Sequence, residues 1–437
     1  MSLSPCRAGD NWIEPGDSEG MNDVSEPSTK IVLADRSDGL GQRILSILKA
    51  MNLAQIMGVN YAFTWDHKDL EHHALPAAAD VFTADYLAAH IVENPTDFFE
   101  LSQPIADRAH MDKAAEGLKG WSLKSSTAYR RLPTELRRSP PGTYAALFDG
   151  IGFRRYIRKA ILAARQVKLA ERPVAIHLRA GDIIYGSYRF RDQFTRKVVA
   201  LPVARWLIEH WRAAGRTVVL FAQDPEVAAQ YRDQADVIVA ADLSERFATP
   251  IQRALFEITL MSRCAEIHAG FSAFAHVAAR IGDFKAKAPR DSLPLEQQVD
   301  VIRTALADPT VRQRDPRLQT AFAAWAAADV LLEQQRWSDA LPLLERAVAD
   351  DPVNGFYRVK LASSLYRLER DAEADAVMAA ALESQNRSIR KARQIALAAL
   401  KETSGKGFTL QSDREIFAEA SSRGSEQARR LADLTAR

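Results

Sequence analysis

Two cysteines in 437 residues, Cys6 and Cys264, stand too far apart for a disulfide framework and lack the spacing of a zinc site. Positive charge is barely in excess. With 58 Lys and Arg against 56 Asp and Glu the formal net charge is +2, so no global field points to nucleic acid. No apolar run approaches the ~18 residues that a membrane span needs. The first 30 residues hold six acids, two bases and no apolar core of the signal-peptide kind. They read as a disordered arm, and the protein is expected to be soluble and cytoplasmic. What remains is ordinary globular composition, 47% hydrophobic and 26% charged, enough for two to three domains.

The order of the chain begins at Ile31. IVLAD is a short apolar run of buried-strand type, and DGLGQR follows it. Ile44, Leu45, Ile47, Leu48, Met51, Leu53, Ala54 and Met57 then recur at helical spacing, with Gly58 placed to end the helix. VNYAFTW resembles a second strand. Strand, glycine turn, helix and strand in this order predict a parallel sheet.

The pattern weakens from about residue 70 to 150. Between Lys124 and Lys168 there are eleven Lys or Arg but two acids, Glu135 and Asp149. Such a stretch suits either solvated helix faces or a basic rim on an anion cleft. A second alternating series follows: VAIHL, LPVARWLIEHWRAAG, TVVLFAQ, PEVAAQYRDQ, DVIVA, QRALFEITLMSRC, EIHAG and SAFAHVAARIG. It predicts a second doubly wound unit, so the expected fold is α/β with two Rossmann-like lobes. Domain bounds are expected at 31–150 for the first lobe and 151–300 for the second.

From Leu318 the chain is helix-forming throughout. Leu331, Ala340, Leu344 and Ala347 recur 34 residues later as Leu365, Ala374, Met378 and Ala381. That period is the tetratricopeptide (TPR) length, which suggests an all-α TPR-like domain over 316–437 and a protein partner for it. Trp337 and Pro352 fit the first unit; Asp371 and Asn386 replace them in the second. Two units are short of a stable array, so flanking helices or the α/β body must cover the exposed face.

Chemistry is concentrated at strand ends. In VAIHLRAGD, Arg179 offers a planar fork of donors suited to phosphate, His177 shares its strand face, and Asp182 can orient the arginine. A structural ion pair within the turn is the competing reading. Gln223 and Asp224 follow TVVLFA, where they suit a ribose or base edge, although Asp before Pro225 equally suits a helix N-cap. Ser272, Ala273 and Phe274 open a helix after EIHAG, a ready anion site or a plain Ser cap. Gly39 and Gly41 let backbone approach a ligand, but the dinucleotide and phosphate-loop fingerprints are incomplete, which disfavours a nicotinamide enzyme or a nucleoside triphosphatase.

Taken in order, these stretches resemble the fucosyltransferase superfamily that includes the N-glycan core α-fucosyltransferases, nodulation-factor fucosyltransferases and protein O-fucosyltransferases. DGLGQR is similar to its GGxGN(Q/R) loop, HLRAGD to H-x-R-R-x-D, AQDPEV to T-D-D-P, and FEITLMSRCAEIHAGFSAF to its last motif. The resemblance covers about residues 31 to 285. It implies a GT-B fold with GDP-fucose held by the second lobe, and phosphates met by Arg179 and the region Ser272, Ala273 and Phe274. It further implies guanosine at Asp224 and Gln42 facing the donor. Ala180 stands where many members have a second arginine, Gln223 replaces an acid, and Ala273 replaces a serine. The reaction implied is inverting transfer from a GDP-sugar to a glycan or protein acceptor, with no metal or other cofactor and with Asp38 as base, unless it serves only the turn before Gly39. Another nucleotide sugar as donor, or an inactive TPR-containing adaptor, stays open.

Overall fold

The computed structural model describes residues 30–67, 75–125, 127–190, 192–382 and 410–436. The expected disordered arm, Lys30 apart, and Asn386 of the second repeat lie outside those residues. The first lobe opens with β1 (Ile31–Ala34), which enters α1 (Leu40–Met57) and returns as β2 (Asn60–Phe63). Two strands not anticipated from the sequence, β3 (Phe98–Glu100) and β4 (Gly120–Ser122), complete a parallel sheet in the order β2-β1-β4-β3. Each has three residues, too few for a period to show.

A two-turn helix (Thr143–Gly150) and α2 (Arg155–Gln166) lead into the second sheet. Its strands are β5 (Val174–Leu178), β6 (Val218–Ala222), β7 (Val237–Val239) and β8 (Glu266–Ala269), all parallel, in the order β7-β6-β5-β8. Between them run α3 (Leu201–Ala213), α4 (Pro225–Ala229) and α5 (Pro250–Ser262), and α6 (Ala273–Ile281) follows β8. The strand order reverses direction at β5 and β8. In open parallel sheets that reversal leaves a crevice at the strands' carboxyl ends.

Beyond α7 (Leu295–Ala307) come α8 (Arg317–Glu333), α9 (Trp337–Asp350), α10 (Gly355–Arg367) and α11 (Asp371–Leu382), each packed on the next. The starts of α9 and α11 are one 34-residue period apart, as are the buried pairs Leu331 and Leu365, Ala340 and Ala374, and Leu344 and Met378. After them lie α12 (Leu410–Ser422) and α13 (Glu426–Ala436).

The two faces of the second sheet belong to different cores, as the period of two along a strand requires. Ala175, Val219, Phe221 and Ile267 join a core with α1, α5, α6 and the first lobe. Val174, Ile176 and Leu220 join one that runs without a break through α3 and α7 to Phe322, Trp325 and Tyr357 of the helical tail. The core therefore crosses residue 316, the bound expected between body and tail. No described helix is long and apolar enough to cross a membrane.

Candidate active site

At the carboxyl ends of β5 and β8 lie Arg179 and Ser272, and Gln223 and Asp224 follow the neighbouring β6. The last residues of β5 place His177 and Leu178 in the sheet, and Arg179 leaves it at the carboxyl end. Arg179 Nη2 donates to Asp182 at 2.8 and 3.1 Å, so the orienting ion pair exists. Its buried Nε has no protein partner. Gln223, after β6, accepts the Ala180 N–H at 3.0 Å through Oε1 and thereby pins the turn that carries Arg179. Gln223 is thus a brace of the turn.

His177 is buried, lies nearly parallel to the Phe274 ring with centroids 5.5 Å apart, and keeps an unpartnered Nδ1. Burial, helped by the charge of Arg179, pushes its pKa down to about 3. The ring is neutral at ordinary pH and cannot serve as an acid near neutrality.

Ser272 stands at the N-cap position of α6, yet its hydroxyl makes no cap bond; it is 1% exposed and has no partner. A buried unpaired hydroxyl costs free energy unless something else meets it. It sits at the start of a nine-residue helix whose first N–H groups form an anion-attracting end.

Lys197 went unremarked in the sequence, because it lies in a stretch without a strand or repeat to place it. Its carbonyl lies so close to Gly270 that a Cβ there would meet the oxygen at 2.3 Å, and Phe271 N–H donates to Arg196 O at 2.7 Å. The ammonium is half-buried beside Arg179 and Asp182. Burial and the Arg179 charge hold its pKa below the usual lysine value, with Asp182 opposing. Ala180 leaves the turn with a single arginine, but a second cation arrives from this neighbouring segment.

The first lobe meets this edge through its glycine loop. A Cβ on Gly41 would stand 2.8 Å from Phe274 N and 3.0 Å from the Ala273 carbonyl carbon, both backbone atoms that cannot rotate away. Glycine is required there for the two helix starts to touch. Gln42 is half-buried in that first turn, Gly39 is its N-cap, and Asp38 is ion-paired to Arg36 while its carbonyl accepts from Arg43 Nε at 2.7 Å.

Asp224, the residue after Gln223, is 5% exposed. Its Oδ1 accepts from Glu226 N at 3.0 Å and Val227 N at 3.3 Å, the N-cap of α4. Its Oδ2 accepts from the Tyr185 hydroxyl and from Gln319 Nε2 of α8 at 3.1 Å. Both oxygens are engaged by the protein, and the tail supplies one of the donors.

No protein-family profile matches the chain. No curated protein matches it either. Among solved structures it is similar to the fucosyltransferase NodZ from Bradyrhizobium, 19% identical over 57% of this chain and 92% of that one, with a TM-score of 0.35. A mutant of Arabidopsis thaliana FUT1 in complex with GDP is 12% identical over 59% and 70%, TM-score 0.39. POFUT1 in complex with GDP is 10% identical over 60% and 99%, TM-score 0.31. Values this low establish neither family nor activity.

Proposed function

We propose that the chain is a glycosyltransferase that draws its sugar from a nucleotide diphosphate donor, GDP-fucose or a related GDP-sugar, and transfers it with inversion and without a metal. The observation that carries the reading is the unpaired Ser272 hydroxyl at the start of α6, after a strand that neighbours the one Arg179 follows. Departure of a diphosphate builds negative charge, and preorganised donors aimed at it lower the barrier most effectively. Arg179 and Lys197 would neutralise the phosphates, Ser272 and the helix start would bind their oxygens, and Asp182 and Gln223 would fix the arginine's turn. Asp38, on the facing loop, would accept the proton of the attacking hydroxyl once Arg36 is drawn away. Guanosine is assigned by the motif resemblance at Asp224; a base bound there would replace Tyr185 or Gln319 on Oδ2.

The full engagement of Asp224 favours a second reading, the same chemistry with another nucleotide. A thermal-shift series with GDP, UDP and ADP separates the two. At 100 times its dissociation constant a diphosphate adds about 2.7 kcal/mol of stability. A shift by GDP alone supports the first reading, and equal shifts support the second. No shift with any of them leaves an adaptor without a donor.

A further inference from the structure

Along the seam between the lobes, four cationic or basic side chains gather. Lys49 comes from α1, Arg130 from the turn Ala128–Arg131, and His276 and Arg280 from one face of α6. Lys49 Nζ lies 5.4 Å from the Tyr129 ring centroid, and Arg280 Cζ lies 5.4 Å from that of Tyr144. The two phenol oxygens are 3.4 Å apart, so both cations border one pair of buried rings. Arg130 Cζ stands 5.8 Å over Phe271, whose ring meets His276 edge-on at 5.1 Å. Phe271 is 53% exposed and immediately precedes Ser272.

Among the described residues none of the four forms an ion pair with a carboxylate. Arg36, the next cation along the seam, already holds Asp38. Burial and the charges of Arg280, Arg130 and Arg36 bring the Lys49 ammonium down to about 8. Burial, then Lys49, Arg130 and Arg280, also hold His276 below its usual value. Like charges collected on a partly desolvated surface lack what a bound anion supplies.

We propose that this seam is an oxyanion site, and that it holds a phosphate or carboxylate group of the acceptor. The oxyanion site rests on the cluster alone, whereas the acceptor's place in it rests on the glycosyltransferase reading. Lys49 and Arg280 bind the anion. The open face of Phe271 receives the adjoining part of the acceptor, one residue from the serine of the diphosphate site.

Calorimetric titration of the full chain with inorganic phosphate, and separately with acetate, tests it. Phosphate affinity is expected to fall about tenfold or more in Lys49→Met and in Arg280→Gln, the loss of one charge-assisted hydrogen bond. It is expected to persist in Arg179→Ala. Lys49→Met removes repulsion and should melt no lower than the parent, and Arg280 is exposed, so both variants are expected to fold. Tighter binding of phosphate assigns a phosphorylated acceptor, and tighter binding of acetate a carboxylated one. Unchanged affinity in both seam variants, or loss in Arg179→Ala alone, overturns the site. If GDP fails to bind while Lys49-dependent phosphate binding remains, the donor reading falls and the oxyanion site stands.

Discussion

Replacing Ser272 by Ala separates a capping serine from a ligand-binding one by the sign of its effect. A serine that caps a helix through its hydroxyl stabilises by about 1 kcal/mol, and its loss lowers the melting temperature. Here the hydroxyl is buried, makes no cap bond and has no partner. Removing an unsatisfied buried hydroxyl relieves a desolvation cost of about 1–3 kcal/mol. Ser272→Ala is therefore expected to leave the unliganded protein as stable or to raise its melting temperature by about 2 °C per kcal/mol, the response of a large cooperative unit. Binding should move the other way. A hydrogen bond to a charged phosphate oxygen contributes about 1.5–3 kcal/mol, so affinity for GDP or pyrophosphate should fall by roughly tenfold to a hundredfold. Scanning fluorimetry gives the first quantity and calorimetry the second, on one preparation. A lower melting temperature with unchanged affinity would make Ser272 a cap and refute the reasoning.

Three other outcomes are expected. Arg179→Ala should lower transfer on the order of 100- to 1,000-fold with little change in melting, and Arg179→Lys should rescue only part, since a point charge cannot make a paired contact; a variant that melts early yet keeps its rate makes the ion pair with Asp182 purely structural. His177 is neutral in the fold with a pKa of about 3, below its unfolded value, so the unfolded chain binds more protons between the two. Stability should drop by up to about 1.4 kcal/mol per pH unit as pH falls from about 6.5, and His177→Gln should flatten that slope when urea melts are compared at pH 7 and pH 5; parallel slopes would refute it. Deleting residues 316–437 should abolish the cooperative melting transition, because it strips Phe322 and Trp325 from the core beneath α3 and α7; a truncated protein with the parent's melting curve would show the tail to be separable.

All four strands of the second sheet were readable from the sequence: VVLFA and VIV are continuous apolar runs, VAIHL and EIHA are short apolar runs interrupted by a histidine, and helix-forming stretches separate them. The three-residue strands β3 and β4 were not, since FFE and GWS carry no pattern and gain their place only by pairing with each other and with β1. At the site, Arg179, Asp182 and Ser272 could be found from strand ends alone. Lys197 could not, because what brings it to Arg179 is the close approach of its own backbone to Gly270, a contact between segments 73 residues apart. The two competing readings of Asp224 also needed the tertiary structure: its N-cap bonds follow from the Asp-Pro sequence, but the bond from Gln319 does not.

That last bond belongs to a larger set. Arg205 pairs with Asp315 through two nitrogens, Nη1 at 2.6 Å from Oδ2, where the tail begins. Arg189 Nε donates to the buried Asp351 at 3.1 Å, and Asn354 Nδ2 donates to the Arg189 carbonyl at 3.2 Å. Burial pushes the Asp351 carboxyl up while Arg189 opposes it. Removing one partner of a buried pair costs far more than forming the pair contributes. The segment Tyr185–Phe190 and the end of β6 are thus held from the tail side, while the start of α6 that follows Ser272 is held from the first-lobe side through the close approach of Gly41 to Phe274. A displacement of α8 or of the turn before α10 would break bonds at Asp224 and Arg189. The tail is structurally coupled to the Asp224 side of the second sheet, and Phe274 at the start of α6 is coupled to the glycine loop of the first lobe.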